Sequence, residues 1–199
     1  LYYREFSHEE KRFGDPVRVS SEAYNLQTFS IARASMAVDG AGRIHVVWYL
    51  PRDNQYYYAR SDVGRQIFET QRSMVTTFSE GIDAGADIAA MGPNVVLVWG
   101  AGDLANEEER TVYMRFSIDS GETFGPELPV GDSGLGACAC CSLAAEFTGG
   151  DQLAIAYRSA INGTGRHMQV LNLSSNQNKF SNEEFLRSEY ESMQIMREW

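Results

Sequence analysis

Val112-Tyr113-Met114-Arg115-Phe116-Ser117 is followed seven residues later by Phe124, and this pattern recurs along the chain. Tyr2-Tyr3-Arg4-Glu5-Phe6 leads to Phe13, Tyr56-Tyr57-Tyr58-Ala59-Arg60-Ser61 to Phe68, and Met168-Gln169-Val170-Leu171-Asn172-Leu173 to Phe180. The Phe spacings are 55, 56 and 56. Self-similarity at a fixed period of this size marks a repeat architecture, and it outranks any reading of single elements.

A second set of segments falls between these. Ala34-Ser35-Met36-Ala37-Val38-Asp39, a Gly turn and Arg43-Ile44-His45-Val46-Val47-Trp48 match Ala86-Asp87-Ile88-Ala89-Ala90, a Gly-Pro-Asn turn and Val95-Val96-Leu97-Val98-Trp99. The third copy is Cys141-Ser142-Leu143-Ala144-Ala145, a Gly-Gly turn and Gln152-Leu153-Ala154-Ile155-Ala156-Tyr157. Trp48, Trp99 and Tyr157 fall in step. A fourth, shorter run follows the Phe, as in Pro16-Val17-Arg18-Val19 and Glu127-Leu128-Pro129-Val130. Four short β-rich runs per repeat, separated by turn residues, predict an all-β fold: a β-propeller of four-stranded blades. The small residues of the first run suit the innermost strand, where blades crowd around the axis.

Composition agrees. The chain has 199 residues, 43% hydrophobic and 22% charged, which excludes a disordered protein. Its 18 glycines and 23 aromatics favour strands and turns over helices. No apolar run approaches the ~18 residues of a membrane helix, so no membrane span is expected. A net charge of −10 argues against a nucleic-acid partner.

Leu1-Tyr2-Tyr3-Arg4 reads as the middle of a strand, and 199 residues hold fewer than four periods. The expectation is a partial propeller domain over 1–199, with about three and a half blades and repeat phases ending near Phe13, Phe68, Phe124 and Phe180. The remaining blades would come from the same chain or another. Residues 181–199 could pass as an amphipathic helix, but repeat position assigns them to an outer strand and the crossing to a further blade.

Ser117-Ile118-Asp119-Ser120-Gly121-Glu122-Thr123-Phe124 resembles the Asp-box, S-x-D-x-G-x-T-[WF], of the bacterial neuraminidase (BNR) repeat. In that motif Ser117, Asp119, Gly121, Thr123 and Phe124 have a structural role. Asp accepts turn amides, Gly takes positive φ, and the aromatic packs beneath. The resemblance covers about residues 1–180 and implies a sialidase-like propeller, six-bladed when complete. Gly136-Ala137-Cys138-Ala139-Cys140-Cys141, with Ile155-Ala156-Tyr157-Arg158 further on, is similar to a bacterial subgroup carrying a C-x-C-C motif. Its members are usually labelled exo-α-sialidase by fold similarity. The resemblance also implies export to the periplasm or the extracellular space.

Sialidases bind their substrate carboxylate with three arginines, whose guanidinium forks match it. They use a Tyr nucleophile assisted by a Glu, with an Asp as acid/base. The family's Arg-Ile-Pro segment is absent here. Arg33, Arg115 and Arg158 are available, but none stands in a sialidase context, and the tyrosines follow the third-strand pattern. Catalytic residues therefore stay unassigned.

Family architecture implies a ligand site where the loops entering the inner strands surround the axis. Residues 20–33, 76–87 and 131–141 would bring Arg33, Asp83, Asp87 and the cysteines together, with Arg158 as a further ligand-binding candidate. Asp83 and Asp87 read either as acid/base or cation ligands, or as turn and strand caps. Cys138, Cys140 and Cys141 are the only cysteines. Clustered thiolates suit a soft metal, copper or zinc, with His45, His167 and Met168 as further possible ligands. The alternatives are a Cys138–Cys141 bridge, a Cys140–Cys141 vicinal disulfide, or a reactive thiol. The leading expectation is an exported propeller binding a glycan or protein partner at its axial mouth. Its rivals are an exo-α-sialidase and a metal-binding propeller built on the cysteine cluster.

Overall fold

The computed structural model describes residues 1–24, 26, 33–82, 85–132, 134–149, 152–161 and 166–174. Phe180 and residues 181–199 lie outside the described residues. The strands fall in repeat order: β1 (Tyr2–Tyr3), β2 (Phe6–Ser7), β3 (Arg12–Phe13) and β4 (Val17–Arg18), then β5 (Ser35–Val38), β6 (Ile44–Leu50), β7 (Gln55–Arg60) and β8 (Arg72–Ser73). They continue with β9 (Asp87–Met91), β10 (Asn94–Ala101), β11 (Thr111–Ser117) and β12 (Leu128–Pro129), then β13 (Ala144–Gly149), β14 (Gln152–Arg158) and β15 (Met168–Ser174).

Strands β5 to β8 form one antiparallel four-stranded meander and β9 to β12 another; β13, β14 and β15 pair in the same order. At the N-terminal side β1 pairs with β4, and β2 with β3, as the outer half of one more blade. Phe6 pairs with Phe13, and Ser61 with Phe68, so these two repeat phenylalanines close hairpin ends as their spacing requires. The fold is an all-β propeller of four-stranded blades.

Alternation along the second strand of each blade explains the stacking. On β10, Val95, Leu97 and Trp99 face the first blade and pack with Val47, Tyr56 and Tyr58. Val96 and Val98 face the third blade and pack with Phe147, Leu153, Ile155 and Tyr157. All five β10 side chains are fully buried. A strand covered on both faces reads as an unbroken apolar run, and Val95-Val96-Leu97-Val98-Trp99 is one. Trp48, Trp99 and Tyr157 each face the preceding blade, which is why they fall in step. Truncating Leu97 to Ala would cost about 2–5 kcal/mol.

The first strands stand side by side at the axis. Gly40 N–H donates to the Gly92 carbonyl at 3.1 Å, and Leu143 N–H to the Gly85 carbonyl at 2.8 Å. Small residues make this approach feasible; a Cβ on Gly40 would meet the Gly92 Cα at 2.9 Å. Because every blade is a meander, its connections sort to two ends. The loops entering the first strands and those joining second to third strands share one end, here the entry end. The opposite end carries the turns between first and second strands and the turn 118–127. Among the described residues no helix is long and apolar enough to cross a membrane.

Candidate functional site

The entry end carries the densest cluster of reactive groups. Gly136 turns the chain into the cysteine loop at φ 61°, where a Cβ would lie 2.5 Å from the Glu107 carbonyl oxygen and 2.8 Å from that of Ala160. Only glycine fits. The loop is then fastened by main-chain bonds: Ala137 N–H to the Glu107 carbonyl at 3.2 Å and Cys138 N–H to the Arg158 carbonyl at 2.8 Å. The buried Arg110 donates from Nε to the Ala137 carbonyl at 3.0 Å. The carboxylate of Glu107 accepts Ala139 N–H at 2.8 Å through Oε1 and the Arg166 guanidinium through Oε2. Two blades therefore share the loop, since Glu107 and Arg110 belong to the second-to-third-strand connection of the preceding one.

Cys138 is buried, Cys141 half-buried and Cys140 exposed, and none is in a disulfide. Their sulfurs are 3.1 Å (138 to 141), 3.3 Å (138 to 140) and 4.0 Å (140 to 141) apart. Arg166 Nη1 donates to Cys138 Sγ at 2.9 Å, and the exposed Arg158 Nη1 points to Cys141 Sγ at 3.7 Å. Burial opposes ionisation of Cys138. Hydrogen bonds from Cys141, Cys140, the Cys140 amide and Arg166 outweigh it and hold this thiol below the ordinary value. Cys140 moves the other way, to about 11. Its hydrogen bond to Cys138, its partial burial and the neighbouring thiolate all keep its proton on. Burial also opposes the Glu107 carboxylate, but the Ala139 amide and Arg166 hold it ionised and below its usual range. The three sulfurs lie close enough together to bind one metal ion.

The other expected site residues are placed differently. Asp83 lies outside the described residues. Asp87 is half-buried on β9, and both its oxygens are engaged: Oδ1 by the Ser35 hydroxyl on β5, Oδ2 by Ala145 N–H on β13 at 2.8 Å. It ties three successive inner strands together. Arg33 is exposed just before β5. Arg115 spends its donors on the carbonyls of Gly125, Met74 and Phe124, at 2.8, 3.1 and 3.2 Å. His45 is no ligand for the cysteines: it is fully buried near the opposite end of its blade, 2.7 Å from the Tyr58 hydroxyl and 3.4 Å from Asp39 Oδ2. Met168 is exposed and stands opposite Arg158 in register, and the main chain of His167 bonds the Ser159 hydroxyl, its N–H donating at 3.0 Å and its carbonyl accepting at 3.1 Å.

At the turn end, Ser117 to Phe124 closes on itself. Asp119 Oδ1 accepts the Ser117 hydroxyl at 2.7 Å and Thr123 N–H at 2.9 Å, and Oδ2 accepts the Thr123 hydroxyl at 2.5 Å. Ser117 Oγ accepts Gly121 N–H at 2.9 Å. Ser120 and Gly121 adopt φ 57° and 76°. The turn also grips the first blade: Arg60 donates to the Ser120 carbonyl at 2.9 Å, Arg72 to those of Gly121 and Glu122 at 2.5 and 2.7 Å, and Phe124 meets Tyr58 edge-on at 5.1 Å.

Sequence reasoning missed Glu107, Arg110 and Arg166. Glu107 sits in Asn106-Glu107-Glu108-Glu109, which reads as a solvated acidic run, and Arg166 follows the sequence Gly163-Thr164-Gly165 with no pattern of its own. The parity of a four-stranded meander was the available signal, because it sends both connections to the end that carries the cysteines.

No protein-family model matches the chain, and no curated protein matches it. Among solved structures it is similar to a polysaccharide lyase of family PL25, an ulvan lyase bound to -[GlcA(1-4)Rha3S]-. The TM-score is 0.52 and the identity 16%, over 87% of this chain and 46% of that one. The chain thus spans about half the length of that structure. At this identity the likeness concerns the fold.

Proposed function

We propose that the chain belongs to an exported BNR-type propeller that binds an acidic glycan at its entry end. The observation that carries this reading is a pair of guanidiniums against the cysteine loop, the exposed Arg158 at Cys141 Sγ and Arg166 at Cys138 Sγ, at the loop end of a protein whose net charge is −10. Guanidinium forks recognise carboxylate and sulfate groups in a fixed geometry. The self-closed turn from Ser117 to Phe124, with its Asp119 acceptor and positive-φ Gly121, supports the Asp-box reading. The fold neighbour, a lyase bound to a uronate- and sulfate-bearing repeat, supports a carbohydrate ligand.

Calorimetry on the full-length protein with sulfated, uronate-containing and sialylated oligosaccharides tests this. The expected result is binding to at least one acidic class and not to its neutral counterpart, weakened about tenfold or more by Arg158→Gln. Equal affinity of the wild type and Arg158→Gln, or no affinity for any acidic glycan, sinks the reading. A sialidase-type hydrolase is the second reading, favoured by the same Ser117–Phe124 turn. Release of sialic acid from sialyllactose would establish it.

A further inference from the structure

We propose that Cys138, Cys140 and Cys141 form a three-thiolate site for a single Cu(I) ion. This goes beyond glycan binding: the ligand atoms are the three sulfurs, although the guanidiniums of Arg158 and Arg166 border both sites. The first argument is geometric. With metal–sulfur bonds of about 2.3 Å, three thiolates around one ion stand about 4 Å apart. The Cys140–Cys141 separation is already 4.0 Å, and the other two edges widen by less than an ångström.

The second argument is that the loop is built to hold this arrangement. Gly136, the two main-chain bonds to Glu107 and Arg158, the Arg110 brace and the Glu107 carboxylate fix the backbone from both sides. Ligands held in place by their surroundings do not need to be ordered by the ion. The third argument is charge. Three thiolates around a monovalent ion leave a net charge of −2, and Arg166 and Arg158 already contact two of the sulfurs. On binding, the thiols that still carry protons release them to solvent.

The ligand count selects the metal. Structural zinc is almost always four-coordinate, whereas soft thiolates also select Cu(I), which is satisfied by three. Among the described residues no fourth His, Cys or carboxylate joins the group. Both oxygens of Glu107 are engaged. His45, the one fully buried histidine, is committed elsewhere.

The test uses the full-length, reduced protein under anaerobic conditions. It is titrated with Cu(I) against a chromophoric Cu(I) chelator, and separately with Zn(II) against a zinc dye. One Cu(I) per chain should resist the chelator, with three sulfur neighbours by X-ray absorption, while Zn(II) is readily surrendered. Cys140→Ser, at an exposed position, should fold normally and lose that retention. Arg158→Gln should weaken it about 10–100-fold, the scale of outer-shell contacts, without changing the melting temperature of the metal-free protein. Retention of Cu(I) by Cys140→Ser overturns the proposal. So does tighter retention of Zn(II) than of Cu(I). Loss of glycan affinity in Arg158→Gln with copper retention unchanged would sink the copper site alone.

Discussion

The Nδ1 of His45 and the hydroxyl of Tyr58 meet at 2.7 Å where solvent does not reach. His45 stands on β6 and Tyr58 on the neighbouring β7, so the bond crosses one sheet. Its lid comes from the next blade: a Cβ on Gly121 would fall 1.9 Å from the Tyr58 hydroxyl and 3.1 Å from His45 Nδ1. With Asp39 at 3.4 Å on the far side of the ring, a buried polar chain Asp39–His45–Tyr58 runs through one blade beneath the turn of the next.

Removing the hydroxyl leaves the imidazole without this partner. Tyr58→Phe should therefore destabilise the protein by about 1–3 kcal/mol, because a buried polar atom stranded without a partner costs its desolvation. Urea denaturation measures it. An unchanged midpoint at an unchanged slope would mean that the bond contributes nothing.

The same chain predicts a pH dependence. Burial lowers the His45 pKa below 6.5, more than the Asp39 carboxylate raises it. The unfolded chain then binds a proton that the folded chain refuses, so the unfolded state gains as pH falls. Stability should be full above pH 6.5 and decline as the pH drops through the folded value. His45→Gln should flatten thermal stability across that window. A slope that survives the substitution would assign it to another group.

Gly121 and Gly134 separate backbone strain from steric exclusion. Both have positive φ, 76° and 86°, but a Cβ on Gly134 meets nothing within 4 Å. Gly134→Ala should cost about 1–2 kcal/mol, the left-handed penalty alone. Gly121→Ala adds the collision with Tyr58 and should cost clearly more. Equal losses in the two variants would show that Tyr58 moves aside freely.

Gln169 predicts a gain. It is fully buried on β15, and neither amide atom has a hydrogen-bond partner among the described residues. Gln169→Met keeps the length of the side chain and removes the stranded amide, so it should be neutral or raise stability by up to about 1–3 kcal/mol. A lower melting temperature would contradict this.

The blade pattern was legible because each of its signals is local. Trp48, Trp99 and Tyr157 recur at one register position, and the Ala-rich first strands lie where first strands must crowd. The Ser117–Phe124 turn was legible for the same reason: its hydrogen bonds join residues within eight positions of one another. The cysteine cluster was visible as a cluster, yet its surroundings were not. Glu107 and Arg166 reach it from some 30 residues to either side, and nothing in their own neighbourhoods records the approach. Asp87 was misleading in a different way. A carboxylate at a strand start near an axis reads as a ligand or a cap, and only the spacing of three inner strands reveals that both oxygens are taken.

That placement of Asp87 bears on how the protein comes apart. In a simple repeat array each unit answers only to its neighbours, and the ends open first. Here one carboxylate takes a hydroxyl from the blade before it and an amide from the blade after it. The first and third blades, which share no core cluster, are thereby coupled through a residue that belongs to neither. Loosening either one disturbs the hydrogen bonding of the other's inner strand. Opening at the axis is a concerted event over three blades, and amide protons there should exchange together, while the outer strands exchange one blade at a time.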